Sequence, residues 1–197
     1  MMKRAMSILG AGLLILLAAF TAAGESQEPA ENSPAAVEWK EFRKNSESIV
    51  EKGSFVSLTE IGMKLWVPDE CARQDYGDPT VCAFYSDSAE DAFGFSVFTE
   101  ELPEDVPAGD RDALFNYIST GVADPDSASR LLLNGVFCVG YTIGLNTQTG
   151  VSFPAEDGQI VSFVIETMTE EESEHNAMIR LIAASIMPAA MDPDAAE

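Results

Sequence analysis

Three regions follow from the order of apolar and polar positions along the chain. The first opens with Lys3 and Arg4, continues through the uncharged apolar run Ile8 to Phe20, and closes on Thr21-Ala22-Ala23-Gly24. A basic start, a greasy core and a small-residue stretch together predict an export signal over residues 1–23, cleaved after Ala23. The apolar core spans 13 residues, whereas a helix needs roughly 20 to cross a bilayer, so no membrane span is expected once the signal is removed. Residues 24–36 hold Glu, Pro, Ser and Ala without a large apolar side chain. They predict a flexible acidic spacer, because too little surface can be buried to offset the entropy of ordering.

From residue 37 the pattern becomes periodic, and a single domain is expected over 37–190, with a disordered tail at 191–197. Trp39, Phe42, Ser46, Ile49 and Val50 recur at helical spacing, which predicts an amphipathic helix over Val37 to Lys52 ended by Gly53. Strands are expected at Ser54–Thr59, Met63–Val67, Val81–Tyr85 and Ala92–Thr99, where Phe93, Phe95 and Val97 share one face. Asp110 is placed to cap a short helix with Leu114, Tyr117, Ile118 and Gly121 on its inner stripe. Asn134-Gly135 and Asp157-Gly158 are hairpin turns, since both residue types tolerate positive φ. The strands they join are Ser129–Leu133, Val136–Leu145 and Gln159–Glu166. Thr169 with Glu172 forms a capping box for a last helix whose Met178, Leu181, Ile182 and Ile186 face inward until Pro188.

In the strand after Gly135, Phe137, Val139, Tyr141 and Ile143 alternate with Cys138, Gly140, Thr142 and Gly144. Large side chains lie on one face and small ones on the other, so both faces should be covered. The fold class that results is α+β, a mostly antiparallel sheet flanked by helices in an α/β/α sandwich.

Charge changes the list of partners. The chain has 11 basic and 33 acidic residues, a formal charge of −22, and Arg43-Lys44 is the longest basic cluster after the signal. Phosphate backbones attract Lys/Arg clusters, so nucleic acid is excluded as an expected partner. The three cysteines, Cys71, Cys82 and Cys138, leave an odd thiol after export. Cys71 and Cys82, the closer pair in sequence, are the candidate disulfide, provided their Cα atoms come within about 7 Å. Cys138 reads as a buried small hydrophobe.

Catalytic chemistry has few parts to work with. The single histidine, His175, sits at the start of an acidic helix and reads as a surface residue. A Ser-His-Asp triad or a multi-histidine metal site therefore lacks its members. Asp124-Pro125-Asp126 and Asp110-Arg111-Asp112 lack the rest of a calcium loop and read as turn and cap. No catalytic residue, metal or cofactor is assigned. Trp39 with Phe42 is the candidate interaction stripe, open to docking on the domain itself or on another molecule.

The order of elements resembles the PsbP-like/Mog1-like/DcrB-like α/β sandwich group. The resemblance is carried by Gly62-Met63-Lys64-Leu65-Trp66-Val67-Pro68, the Asn134-Gly135 hairpin leading to Tyr141, the Asp157-Gly158 hairpin, and the closing Ile182-Ala183-Ala184-Ser185-Ile186. It covers about Ser54 to Pro188 and implies a single sheet between helices, without transferring an active-site residue. The Cys71-to-Pro79 stretch departs from the short link expected after Pro68 and is a second candidate surface. Two readings stay open: an exported, non-catalytic binding or accessory domain for an envelope or extracellular protein or glycan, and a small secreted carboxylate-dependent hydrolase. A deep pocket with two converging acids favours the hydrolase, and a flat aromatic surface favours binding.

Overall fold

A computed structural model of the chain describes residues 33–86, 93–107, 109–143, 148–155, 158–167 and 172–194, with backbone alone at 93, 167 and 172–177. Strand β1 (Ala35–Val37) leads into the short helices α1 (Trp39–Lys44) and α2 (Glu47–Val50), then β2 (Gly53–Leu58) and β3 (Met63–Pro68). The chain continues through β4 (Cys71–Asp75), β5 (Thr80–Ser86) and β6 (Phe93–Glu101) to helix α3 (Arg111–Gly121). Four strands and a helix follow: β7 (Ser129–Leu133), β8 (Val136–Ile143), β9 (Gln148–Pro154), β10 (Gln159–Thr167) and α4 (Glu172–Ser185), before β11 (Met187–Pro188).

The fold is α+β. Eight strands form one sheet in the order β1-β7-β8-β9-β10-β6-β5-β4, and β11-β3-β2 form a second of three. Every pair is antiparallel except β1 with β7. The hairpin turn between β7 and β8 has φ +49 at Asn134 and +80 at Gly135, the double positive φ that the Asn-Gly sequence announces. Asp110 caps α3 as expected, its carboxylate accepting from the backbone N–H groups of Asp112 and Ala113 at 3.0 Å.

The two faces of the large sheet carry different cores. On one, Phe84, Phe95, Val97, Phe163 and Ile165 pack with Leu65 and Trp66 of the small sheet, with Leu181 and Ile182 of α4, and with Ile186 just past its end. All are at most 2% exposed, and burying each large side chain is worth about 1.5–3 kcal/mol. On the other face, Leu114 and Ile118 of α3 close over Phe137, Val139, Tyr141 and Ile160. Arg130 secures that helix from the side, stacked 3.8 Å over the Phe115 ring and bonded to Asp112 at 3.0 Å.

Four expectations are corrected. The spacer over 24–36 ends in ordered backbone, because Ala35–Val37 adds to the sheet edge as β1, parallel to Leu131–Leu133. The helix expected over Val37 to Lys52 is broken at Asn45 and Ser46, where Asn45 Nδ2 donates back to the Glu41 carbonyl at 3.2 Å and competes with helix continuation. The tail is held as far as Asp194, which pairs with Arg43, while the Met191 carbonyl accepts from Lys64 Nζ. The single sheet implied by the resemblance is instead two, since β2 and β3 pair with each other and with β11. Thr169 lies outside the described residues, and so does the side chain of His175.

Candidate functional site

Helix α3 packs over β8 and the Ile160 end of β10, and its Tyr117 hydroxyl donates to Glu100 of β6 at 2.8 Å. Registers across the strands place Ser152 opposite Ser162, Ser162 opposite Phe98, Val164 opposite Ser96, Ala83 opposite Ser96, and Tyr85 opposite Gly94. Ala72 and Gln74 of β4 lie opposite Tyr85 and Ala83 and extend the same face to the sheet edge. Because alternate residues point to opposite faces, these side chains stand away from the core that holds Phe95, Val97 and Phe163. Phe98, Val164 and Tyr85 are half-buried beside the buried Ala83 and Ser152, and none of the three is part of either hydrophobic core.

Glycines make this platform smooth. A Cβ on Gly94 would stand 3.0 Å from the Tyr85 ring, so its absence lets the ring lie over the strand. A hydroxyl chain crosses the sheet beside it, from Tyr141 to Ser152 at 3.2 Å and on to Ser162 at 2.7 Å. Tyr76 continues the platform past β4. It is 49% exposed and donates from its hydroxyl to Gln74 Oε1 at 2.8 Å, which places both on one face. The surface thus sets aromatic rings beside neutral hydroxyl and amide groups.

A groove of about 470 Å³ lies at the far end of the β4–β5 hairpin and is lined by Glu60, Arg73, Asp75, Tyr76, Asp78 and Thr80 among others. It falls on the Cys71-to-Pro79 stretch. Arg73 joins two of its acids, with 2.5 Å from Nη2 to Glu60 and 2.6 Å from Nε to Asp75. A hydrogen bond from its own backbone N–H, helped by Arg73 and opposed by partial burial, holds the Glu60 carboxyl below its ordinary value. A general acid in sugar hydrolysis needs the reverse shift. Among the described residues no group of three or more His, Cys, Asp or Glu side chains is placed to hold a metal ion, and no helix is long and apolar enough to cross a membrane.

Both residue pairs singled out from the sequence take other places. Trp39 is 2% exposed. It docks on its own domain, edge-on to the Phe55 ring at 5.3 Å, while its backbone N–H donates to Asn134 Oδ1 at 2.7 Å. Phe42 packs beside it against the same core, so the pair is a clamp for the N-terminal segment and presents no open stripe. Cys71 and Cys82 are free thiols. On the β4–β5 hairpin Cys71 faces Ser86, while Cys82 faces Asp75. Four residues of strand, about 13 Å at the usual rise, separate them, beyond disulfide reach.

All three thiols are held in their unreactive form. Burial pushes Cys71 up to about 12, with Glu70 adding to the effect, and burial likewise pushes Cys82 up to about 11 and Cys138 up to about 12. The thiolate is the reactive form, so these thiols are protected at neutral pH. In denaturant without reductant the chain is expected to show three titratable thiols; two fewer would restore the disulfide. Raised native values also weaken the fold in alkali. The contribution is intact below the ordinary thiol value of 9.0 and is lost as pH climbs through 11 to 12, so urea midpoints should fall above pH 9.

No family model matches the chain, and no curated protein matches it. Among solved structures it is similar to cyanobacterial PsbP (CyanoP) from Synechocystis sp. PCC 6803, at 14% identity over 70% of this chain and 92% of that one, with a TM-score of 0.47. It is also similar to a protein from Bacteroides thetaiotaomicron VPI-5482, at 16% identity over 64% of this chain and 45% of that one, with a TM-score of 0.38.

Proposed function

We propose that this chain is an exported, non-catalytic binding or accessory domain of the cell envelope or extracellular space, and that the part of its sheet face carrying Tyr85, Phe98 and Tyr76 receives a protein or glycan. The observation that carries the reading is the platform itself: Tyr85, Phe98, Val164 and Tyr76 beside Ser96, Ser162 and Gln74, outside both cores. Extended aromatic and hydroxyl surface of this kind marks interaction sites. The charge pattern of residues 1–23 supports export, and the ionised Glu60 in the neighbouring groove supports binding over acid catalysis.

Two measurements test it. The full chain, expressed in a secretion-competent host, is expected outside the cytoplasm with a mature N-terminus at Gly24; retention of the signal inside the cell would sink the export half. The immobilised chain is then challenged with envelope extract and cell-wall fragments, in parallel with a Phe98→Ala, Val164→Ser variant. Saturable retention that weakens by about tenfold or more in the variant, the usual cost of losing an interface anchor, supports the platform. Equal retention by both proteins places the contact elsewhere.

A further inference from the structure

The large sheet ends in an open strand whose sequence fits a second copy of itself. Strand β4 is the last in the order and pairs with β5 alone among the described residues. Residues 72–79 are all exposed. The Tyr76 backbone N–H donates to the Val81 carbonyl at 3.2 Å. Backbone groups of an antiparallel strand point alternately to its two sides, so Tyr76, Gln74 and Ala72 face β5, and the N–H and C=O groups of Cys71, Arg73 and Asp75 face outward. Such an outward row is a template for another strand.

We propose that two copies of the chain pair antiparallel through β4, with the two-fold axis at Gln74. Hydrogen-bond alternation allows only registers in which outward-facing residues oppose one another, which fixes the axis on a residue and never between two. An axis at Arg73 sets two arginines opposite each other, and an axis at Asp75 sets two aspartates; like charges directly opposed destabilise a sheet. An axis at Ala72 opposes Asp75 to Asp69. With the axis at Gln74, Arg73 faces the second copy's Asp75 at two symmetric positions, and each exposed Tyr76 ring lies over the small Ala72 of the other copy.

Arginine can serve this arrangement without giving up its present bonds. Its two contacts, to Glu60 and Asp75, use Nη2 and Nε, and a guanidinium has five N–H donors. The product is a continuous sheet of sixteen strands from the eight in each copy, and the open platforms of the two copies become neighbours. Repulsion between two chains of charge −22 acts against pairing, but it is screened beyond about 8 Å at 0.15 M salt, the condition in which the test belongs. This pairing needs no ligand and stands independently of the function proposed above.

The axis register has a covalent readout. At Gln74 the two copies form a non-hydrogen-bonded pair, with Cα atoms about 4.5 Å apart, within disulfide range. In a Cys71→Ser background of the full chain, Gln74→Cys is expected to give a disulfide-linked dimer on mild oxidation. Ala72→Cys, whose two copies lie some 13 Å apart in this register, should stay monomeric. Equal cross-linking of both variants would report collision only and overturn the proposal, as would no cross-linking of either or cross-linking of the Ala72 variant alone. Sedimentation of the unmodified chain supplies the second arm: Arg73→Asp should lose the dimer, and adding Asp75→Arg should restore it. A dimer indifferent to Arg73→Asp, or a chain monomeric at all concentrations, would refute the pairing.

Discussion

Replacing Asn134 with alanine should cost the domain about 3–5 kcal/mol, toward the low end of the combined cost of one buried N–H and two buried carbonyls that each lose a partner at about 1–3 kcal/mol. Asn134 is only 5% exposed. Its Oδ1 accepts from the Trp39 backbone N–H at 2.7 Å, and its Nδ2 donates to the carbonyls of Ala184 and Ile186, both at 2.9 Å. One side chain therefore joins the N-terminal segment, the β7–β8 turn and the end of α4. A loss of this size is a large share of the 5–15 kcal/mol that holds a typical domain, so the urea midpoint should drop sharply. Asn134→Gly separates the two roles of the residue: it relieves the φ of +49 and leaves the same groups unpaired. It should recover about 1 kcal/mol, and full recovery would show that turn geometry is the whole contribution.

The second large effect is expected at Gly150. A Cβ built there would stand 2.0 and 2.2 Å from two atoms of the Tyr141 ring, so the ring must leave its place. That ring is part of the core under α3, and its hydroxyl begins the chain through Ser152 and Ser162. Gly150→Ala should destabilise by about 2–3 kcal/mol, the upper part of the overpacking range. Gly158→Ala is the matched control. Gly158 has φ +80 and nothing within 4 Å of an added Cβ, so only backbone strain of about 1 kcal/mol applies. Adding Tyr141→Ala to Gly150→Ala should cost less than the two separate losses combined, because the first removes the clash. Additive losses in thermal or urea melts would place the damage elsewhere.

Local chemistry made much of this fold legible. Asn134-Gly135 named its own hairpin, Asp110 named its helix, and alternation in β8 divided the large side chains for α3 from Cys138 on the opposite face. Edges were harder to read. Strand β1 is the tripeptide Ala35-Ala36-Val37, too short and too small to show a period, and its order comes from pairing with Leu131–Leu133 nearly a hundred residues away. Strand β4 is Cys-Ala-Arg-Gln-Asp, polar on both sides because it lies at the sheet edge. Trp39 fitted a helical stripe, yet its burial depends on Phe55 and Asn134, which periodicity cannot bring together.

The platform was half visible. Of Phe93, Phe95 and Val97, expected on one strand face, Phe95 and Val97 are in the core; the side chain of Phe93 lies outside the described residues. The residues between and after them, Gly94, Ser96 and Phe98, carried the complementary signal: two small positions and then a ring on the outward side. Whether a helix covers such a face is decided by where α3 lands, which depends on the connection from Leu102 to Asp110 and not on β6 itself. The groove at Arg73 was signalled only by the unusual length of the Cys71-to-Pro79 stretch.

Position of β1 also sets how the domain would respond to a pull. Strands β1 and β4 occupy opposite edges of eight, roughly 34 Å apart at the usual strand spacing, so tension entering through β1 is delivered far from the open β4 edge. It is borne first by three paired residues and then by two hydrogen bonds at Asn134, one to the Val37 carbonyl and one from the Trp39 N–H. Traction at that end should peel off the N-terminal segment before it disturbs the remaining seven strands, which makes β1 and α1 a mechanical fuse for the sheet.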